Sequence, residues 1–378
     1  MARISLHIGA PKTGTTYLQD LLFANRRVLA EAGTSYPGAY AEAHFEAVLD
    51  LRSMSFKGHA DPAVAGRWDR LVEKAVRWPG NVVVISHELL CGCDDDTVAA
   101  AIGSFGGHDV HVVLTARDLG RQVPAMWQEQ VKNGGTVPFD RYVTRLTREP
   151  HRGRDANVFW RQQDVAETAR RWCEHVPVEQ FHVVTVPPDG APLTLLWQRF
   201  AAAVGIDPAH VDTQLVPAAQ RSVNPSLGYG AAELLRRVNA ALGEALPWPA
   251  YEATVKRGFA EELLQVPDPS GGPQMPDPAR AWLDERTQAM TAAVRELGVD
   301  VVGDLANLQP RARAAAVPLT DDDVLSVAAG ALADLLTKRS TRHRAPRENA
   351  WAARVRRSGM VHRLPAGIQA RLRRRDQR

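Results

Sequence analysis

Cysteine and long apolar runs are scarce in this chain of 378 residues. Its three cysteines, Cys91, Cys93 and Cys173, are odd in number and supply no disulfide framework, which favours a reducing compartment. It has no run of about eighteen apolar residues, the length that a membrane-spanning helix needs. The first strand-like segment begins almost at residue 1, so we expect no secretory signal. These features together predict a cytoplasmic protein.

A metal centre is not expected either. Cys91 and Cys93 precede Asp94, but no second pair of ligands follows at the spacing of a metal site. The acidic run from Asp94 to Asp96 is better suited to the start of a helix, because carboxylates favour the positive end of the helix dipole.

Segments of two periodicities alternate along most of the chain. β-rich runs lie near residues 3–9, 81–86, 109–115 and 181–186, and helical stretches separate them. This order predicts an α/β fold with a mostly parallel sheet flanked by helices. The apolar content of 45% can supply a large core.

We divide the chain into three parts. A single α/β domain covers residues 1–308, and a linker rich in Pro, Ala and Arg covers 309–318. A helical, basic and partly disordered C-terminal extension covers 319–378, beginning with a short helix from Asp321 to Leu336.

The extension is a separate electrostatic unit. Residues 338–378 contain 14 Lys/Arg and 2 Asp/Glu and so carry +12, which leaves −9 for the rest of a chain whose net charge is +3. Trp351 is its one aromatic residue, so it lacks a stacking platform, and we expect no nucleic-acid partner. Apolar residues between the arginines favour peripheral contact with an anionic inner membrane face. A solvated, disordered tail is the alternative.

The most informative segment reads IGAPKTGTTYL, from Ile8 to Leu18. It follows an alternating, strand-like run and precedes leucines at helical spacing. A glycine-bearing loop between a strand and a helix binds phosphate, because the free amides of the first helical turn and the helix dipole favour an anion. This segment therefore predicts a phosphate site.

The position of the lysine argues against the usual triphosphate chemistry. The nucleoside triphosphate loop, GxxxxGK[ST], places its lysine directly after the second glycine. Gly9 and Gly14 have the required separation, but Thr15 occupies the lysine position and the lysine is Lys12. A small-molecule kinase with a variant loop remains an alternative.

The run PKTGTTYLQ, from Pro11 to Gln19, resembles the 5′-phosphosulfate loop of bacterial sulfotransferases that use 3′-phosphoadenylyl sulfate (PAPS). The resemblance implies a P-loop-like fold and PAPS as co-substrate, with no metal required. It also implies that Lys12 contacts the oxygen that joins sulfate to phosphate. The cofactor-binding residues that it implies in this loop are Pro11, Lys12, Thr13, Gly14, Thr15 and Thr16.

A second segment extends the resemblance. Arg117 follows a buried, strand-like run, at the position where sulfotransferases hold the 3′-phosphate of PAPS with an arginine. The family has a serine eight residues later, where this chain has Ala125. Gln128 or Arg121, on the same helical face, could supply part of the missing contact. Arg221, in a later polar loop, is a further candidate for phosphate or substrate binding.

The third candidate segment is His87-Glu88, at the end of another β-rich run. Transfer to a hydroxyl needs a base within hydrogen-bond reach. Sulfotransferases use either a histidine or a glutamate after an early strand, so the resemblance allows both residues. The ordinary pKa of histidine suits a base near neutrality and slightly favours His87.

These features predict a PAPS-dependent sulfotransferase. The acceptor would be a hydroxyl of a carbohydrate, a glycolipid or a small metabolite. A non-catalytic module for nucleotide binding or membrane recruitment is a third interpretation, which Ala125 and the basic tail motivate.

Overall fold

A computed structural model describes residues 1–54, 60–148, 154–216, 227–264, 271–311 and 318–357. A six-stranded sheet in the order β2-β3-β1-β4-β5-β6 forms the centre, and every neighbouring pair is parallel. The strands are β1 Arg3–Gly9, β2 Thr34–Ser35, β3 Val82–Ser86, β4 Val110–Ala116, β5 Phe181–Thr185 and β6 Asp300–Val302. The predicted α/β class is confirmed.

Helices connect and cover the strands. In chain order the helices of the described residues are α1 Thr15–Ala24, α2 Arg26–Glu31, α3 Ala43–Leu51, α4 Arg67–Val76, α5 Asp95–Gly103, α6 Leu119–Lys132, α7 Phe139–Arg148, α8 Arg154–Gln163, α9 Val165–Cys173, α10 Leu193–Val204, α11 Tyr229–Leu242, α12 Trp248–Tyr251, α13 Asp277–Leu297 and α14 Asp321–Arg357. A π-helical segment, Glu252–Glu261, continues α12. Asp94 caps α5 by accepting a hydrogen bond from the Thr97 amide at 3.0 Å, as its carboxylate predicts.

The sheet is buried on both faces. Alternate side chains of β3 and β4 enter two different core clusters, one with α1 and α10 and the other with α3, α4, α5, α9 and α13. Both strands are rich in valine because a strand covered on both sides can be apolar throughout. A third cluster, around Trp127 and Trp160, joins α6, α7, α8 and α11 beside the sheet.

The C-terminal helix contributes to this third cluster. Val324, Val327 and Ala331 of α14 are buried, and Arg237 of α11 bonds to Asp321 at 2.7 Å. The helix begins at Asp321, as predicted, but continues beyond Leu336 to Arg357. None of the helices in the described ranges combines the length and the apolar character needed to cross a membrane.

Strand order places the candidate residues at one edge of the sheet. The chain runs from β1 to the far strand β2, returns through β3, and then crosses β1 to reach β4. β1 and β4 are therefore neighbours at a topological switch point, where open α/β sheets bind ligands. The loop after β1 and Arg117 after β4 meet there.

Candidate active site

Two positions, one at the end of β1 and one in the loop that follows it, have a backbone conformation that favours glycine. Gly9 and Gly14 have φ angles of 118° and 90°, in the left-handed region. A Cβ atom at Gly14 would lie 2.7 Å from Cδ2 of Leu196, and one at Gly9 would lie 3.1 Å from Cα of Glu88. Gly14 also precedes α1, whose start has no side-chain cap among the described residues. The first amides of α1 can therefore bind an anion.

The three threonines of this loop face different surroundings. The Thr13 hydroxyl is buried, donates to the Ala10 carbonyl and contacts the Thr115 hydroxyl. Thr15 is also buried, whereas Thr16 is exposed at the first turn of α1. The Thr13 side chain thus braces the loop, while Thr16 can meet a ligand from solvent.

A buried polar network lies beneath the loop. His7 Nδ1 lies 2.7 Å from the Ser86 hydroxyl, and its Nε2 lies 3.3 Å from the Thr115 hydroxyl. Thr115 in turn donates to the Gly9 carbonyl at 2.8 Å. Burial lowers the pKa of His7 to about 4, so the ring is neutral at pH 7. Three neighbouring strands therefore hold the loop in place.

Lys12 forms an ion pair that the sequence did not predict. Its Nζ lies 2.6 Å from Oε2 of Glu129, near the end of α6. The other oxygen of Glu129 accepts from Lys256 at 3.2 Å and from Asn133 at 3.1 Å. Burial alone would raise the pKa of Glu129, but the charges of Lys12 and Lys256 outweigh it and hold the pKa far below its usual range. Glu129 is therefore ionised in its ion pair with Lys12.

Arg117 lies beside the loop, as the topology requires. Its Nη1 donates to the Lys12 carbonyl at 3.3 Å. Arg121, one turn into α6, bonds to Asp118 and, at 2.6 Å, to Asp189. Both arginines line a cavity of about 180 Å³ together with Lys12, Thr13, Gly14, Tyr17 and the segment 186–192. The cavity can hold a ligand with two anionic groups.

Two glutamines that no sequence pattern marked, Gln122 and Gln163, donate hydrogen bonds to the loop. Gln128 is buried and donates to the Leu227 carbonyl at 2.8 Å, and it does not line the cavity described above. Gln122 donates to the Pro11 carbonyl at 2.9 Å and to Gln163 at 2.6 Å. Arg221 lies outside the described residues.

His87 has one ring nitrogen already engaged. The Leu89 amide donates to its Nδ1 at 3.2 Å, so the neutral ring carries its hydrogen on Nε2. Burial lowers the pKa of His87 more than the adjacent carboxylate raises it. The ring therefore has no available lone pair to take a proton in this arrangement.

Glu88 is better prepared to accept a proton. Its Oε2 accepts a hydrogen bond from Gln19 of α1 at 3.4 Å. Burial raises the pKa of Glu88, whereas the positive charge of Lys12 and the hydrogen bond from Gln19 lower it. The carboxylate therefore lies within the field of Lys12, which favours its ionised form.

Comparisons with known proteins add one structural similarity. No family model matches this chain, and no curated protein matches it. A crystal structure of a sulfotransferase from Alicyclobacillus acidocaldarius is similar at 14% identity and a TM-score of 0.37, over 66% of this chain and 98% of that chain.

Proposed function

We propose that this protein is a sulfotransferase that moves a sulfuryl group from PAPS to an acceptor hydroxyl and releases adenosine 3′,5′-bisphosphate. The observation that carries the proposal is the meeting of two anion-binding elements at one cavity. The uncapped start of α1 suits a 5′-phosphate, and Arg117, whose Nη1 lies 3.3 Å from the Lys12 carbonyl, suits a 3′-phosphate on the same nucleotide. Thr15 follows Gly14, so the loop lacks the lysine that the nucleoside triphosphate motif has at that position.

The chemistry follows from these positions. The acceptor oxygen forms a bond to sulfur while the bond from sulfur to the bridging oxygen breaks, and the acceptor proton leaves to a base. Lys12 would give up its contact with Glu129 and bind the bridging oxygen instead. Negative charge grows on that oxygen as the phosphate departs. The peptide dipoles at the start of α1, where Thr15 and Thr16 lie, stabilise the same growing negative charge.

We propose Glu88 as the base. The ordinary pKa of histidine suits a base near neutrality. However, Nδ1 of His87 already accepts a hydrogen bond from the Leu89 amide, and burial disfavours the charged form of the ring. The Gln19 amide orients the Glu88 carboxylate, and the charge of Lys12 favours its ionised form. A carboxylate held in this way can accept the hydroxyl proton as the bond to sulfur forms.

Calorimetric titration tests the proposal. We expect adenosine 3′,5′-bisphosphate to bind at least tenfold more tightly than ATP, because Arg117 meets a 3′-phosphate that ATP lacks. Transfer of ³⁵S from labelled PAPS should continue in excess EDTA, whereas a kinase would lose its activity with its magnesium. Tighter binding of ATP, or transfer that stops in chelator, would overturn the assignment.

We further propose peripheral contact with an anionic membrane through α14 and the basic residues that follow. Four leucines of α14 are between 44% and 66% exposed: Leu325, Leu332, Leu335 and Leu336. The +12 charge of residues 338–378 follows directly. Exposed leucines next to dense positive charge suit an anionic lipid surface.

A further inference from the structure

The Glu88 turn, a short 3₁₀ helix from Glu88 to Gly92, follows β3 and carries the proposed base as its first residue. The last carbonyls of a helix have no amide partners within the helix and need hydrogen-bond donors from elsewhere. Here those donors are side chains. They bond to four carbonyls in or directly after the turn, those of Leu89, Cys91, Gly92 and Cys93.

One arginine bonds to two of these carbonyls at once. Arg52, the residue directly after α3, donates from Nη1 to the Leu89 carbonyl at 2.7 Å and from Nη2 to the Gly92 carbonyl at 3.4 Å. The planar guanidinium presents its donors as a rigid fork, whereas the single ammonium of a lysine is a point charge. Arg52 therefore fixes the two ends of the turn relative to each other.

Two further arginines hold the turn from α8 and α9. Arg171 of α9 donates to the Cys91 carbonyl at 2.8 Å, and Arg161 of α8 donates to the Cys93 carbonyl at 3.2 Å. Arg171 also donates to the Arg161 carbonyl at 3.2 Å. Helices that are far apart in the sequence thus meet at this one turn.

These three arginines bond to backbone carbonyls and not to carboxylates. Among the residues that the structure describes, none of Arg52, Arg161 and Arg171 forms an ion pair with Asp or Glu. A hydrogen bond from a charged donor is roughly twice as strong as one between neutral groups. The backbone of the Glu88 turn is therefore held by strong bonds from three side chains.

The same turn packs directly on the phosphate loop. A Cβ atom at Gly9 would lie 3.1 Å from Cα of Glu88 and 3.3 Å from Cβ of Cys91. The Gln19 side chain reaches the Glu88 carboxylate at 3.4 Å, which is longer than the usual distance of about 2.9 Å and restrains it weakly. The place of the carboxylate over the loop therefore depends on the backbone of the turn.

We propose that Arg52, together with Arg161 and Arg171, positions Glu88 for proton transfer. This inference rests on the proposed function, because it takes Glu88 as the base of that reaction. The arginines act through the turn and are positioning residues. A displacement of about 1 Å in a reacting group can cost about 100-fold in rate. Loss of Arg52 should therefore reduce the rate of the reaction and leave nucleotide affinity unchanged.

The experiment measures single-turnover hydrolysis of ³⁵S-labelled PAPS by the full chain, with water as the acceptor probe. The water oxygen bonds to sulfur, the bond from sulfur to the bridging oxygen breaks, and the proton passes to Glu88, so sulfate and adenosine 3′,5′-bisphosphate are released. Arg52→Met should lower this rate about tenfold or more and change the calorimetric affinity for adenosine 3′,5′-bisphosphate less than about twofold. The matched control, Arg170→Met on the exposed side of α9, should change neither.

A double-mutant cycle separates positioning from a merely structural role. Combined with Glu88→Gln, Arg52→Met should cost less than about twofold in rate, because the group that Arg52 positions is already gone. A general loss of structure would cost the same factor in both backgrounds. If circular dichroism shows that Arg52→Met does not fold, Arg52→Lys takes its place in the cycle, since it keeps the charge but not the fork.

Two results would overturn the inference: the same loss of rate with and without the Glu88 carboxylate, or a wild-type rate in the Arg52 variant. Failure of the wild-type protein to bind adenosine 3′,5′-bisphosphate or to turn over PAPS would instead overturn the proposed function. The two failures are therefore distinguishable.

Discussion

Two buried histidines should make the folded state sensitive to mild acid. His7 is fully buried and His44 is 3% exposed, and burial lowers the pKa of each from 6.5 to about 4. His44 uses both ring nitrogens as a neutral group: Nε2 donates to the Pro37 carbonyl and Nδ1 accepts from the Ser86 amide at 3.2 Å. Charging either ring would disrupt the polar network beneath the phosphate loop.

The direction and magnitude of this pH effect on the free energy of unfolding follow from the difference between the folded and unfolded pKa values. Because the folded pKa lies below the unfolded one, each histidine contributes stability above pH 6.5, and this contribution is lost as the pH falls toward 4. Between pH 7 and pH 5 the loss is about 2 kcal/mol for each ring, or about 4 kcal/mol for both. That is a large part of the ~5–15 kcal/mol by which domains are usually stable. His87 and His111, whose pKa values burial also lowers, act in the same direction.

Urea denaturation followed by tryptophan fluorescence at pH 7, 6 and 5 measures this loss. The variant His44→Gln keeps a donor and an acceptor but does not titrate, so it should lose about half of the pH dependence that His7 and His44 produce together, even if it is less stable at pH 7. A wild-type free energy of unfolding that changes by less than about 1 kcal/mol across this range would refute the reasoning. So would a His44→Gln variant with the full wild-type pH dependence.

Three further outcomes are expected. Glu88→Gln should reduce the rate of sulfuryl transfer about 100-fold, against less than tenfold for His87→Gln, because a general base supplies about 10²–10⁴ in rate; ³⁵S transfer measures both, and the reverse order would make His87 the base. Gly14→Ala should weaken binding of adenosine 3′,5′-bisphosphate in calorimetry, because a φ of 90° strains any residue with a Cβ and the Leu196 side chain, 2.7 Å from that Cβ, would have to shift; unchanged affinity would contradict this account of the loop. Deleting residues 338–378 should remove flotation with phosphatidylglycerol vesicles and leave nucleotide affinity intact, and loss of nucleotide binding would show that the tail reaches the site.

The local sequence determined the centre of the fold and the position of the loop. Four strands were predicted to within a residue or two, because runs of β-branched residues bounded by turns form strands wherever the chain places them. The phosphate loop is also a local feature, since consecutive residues between β1 and α1 make it. The end of β4 likewise predicted where Arg117 would lie, because parallel strands present their carboxyl ends at one edge.

Tertiary structure decided what each side chain does there. β2 and β6 have two and three residues, too few for a periodic signal, and they exist through pairing with β3 and β5. Glu129 meets Lys12 only because α6 packs along the loop. The engaged nitrogen of His87 depends on the turn that follows it. Hydrogen bonds and charge pairs form between residues far apart in the chain, and periodicity carries no information about such distances.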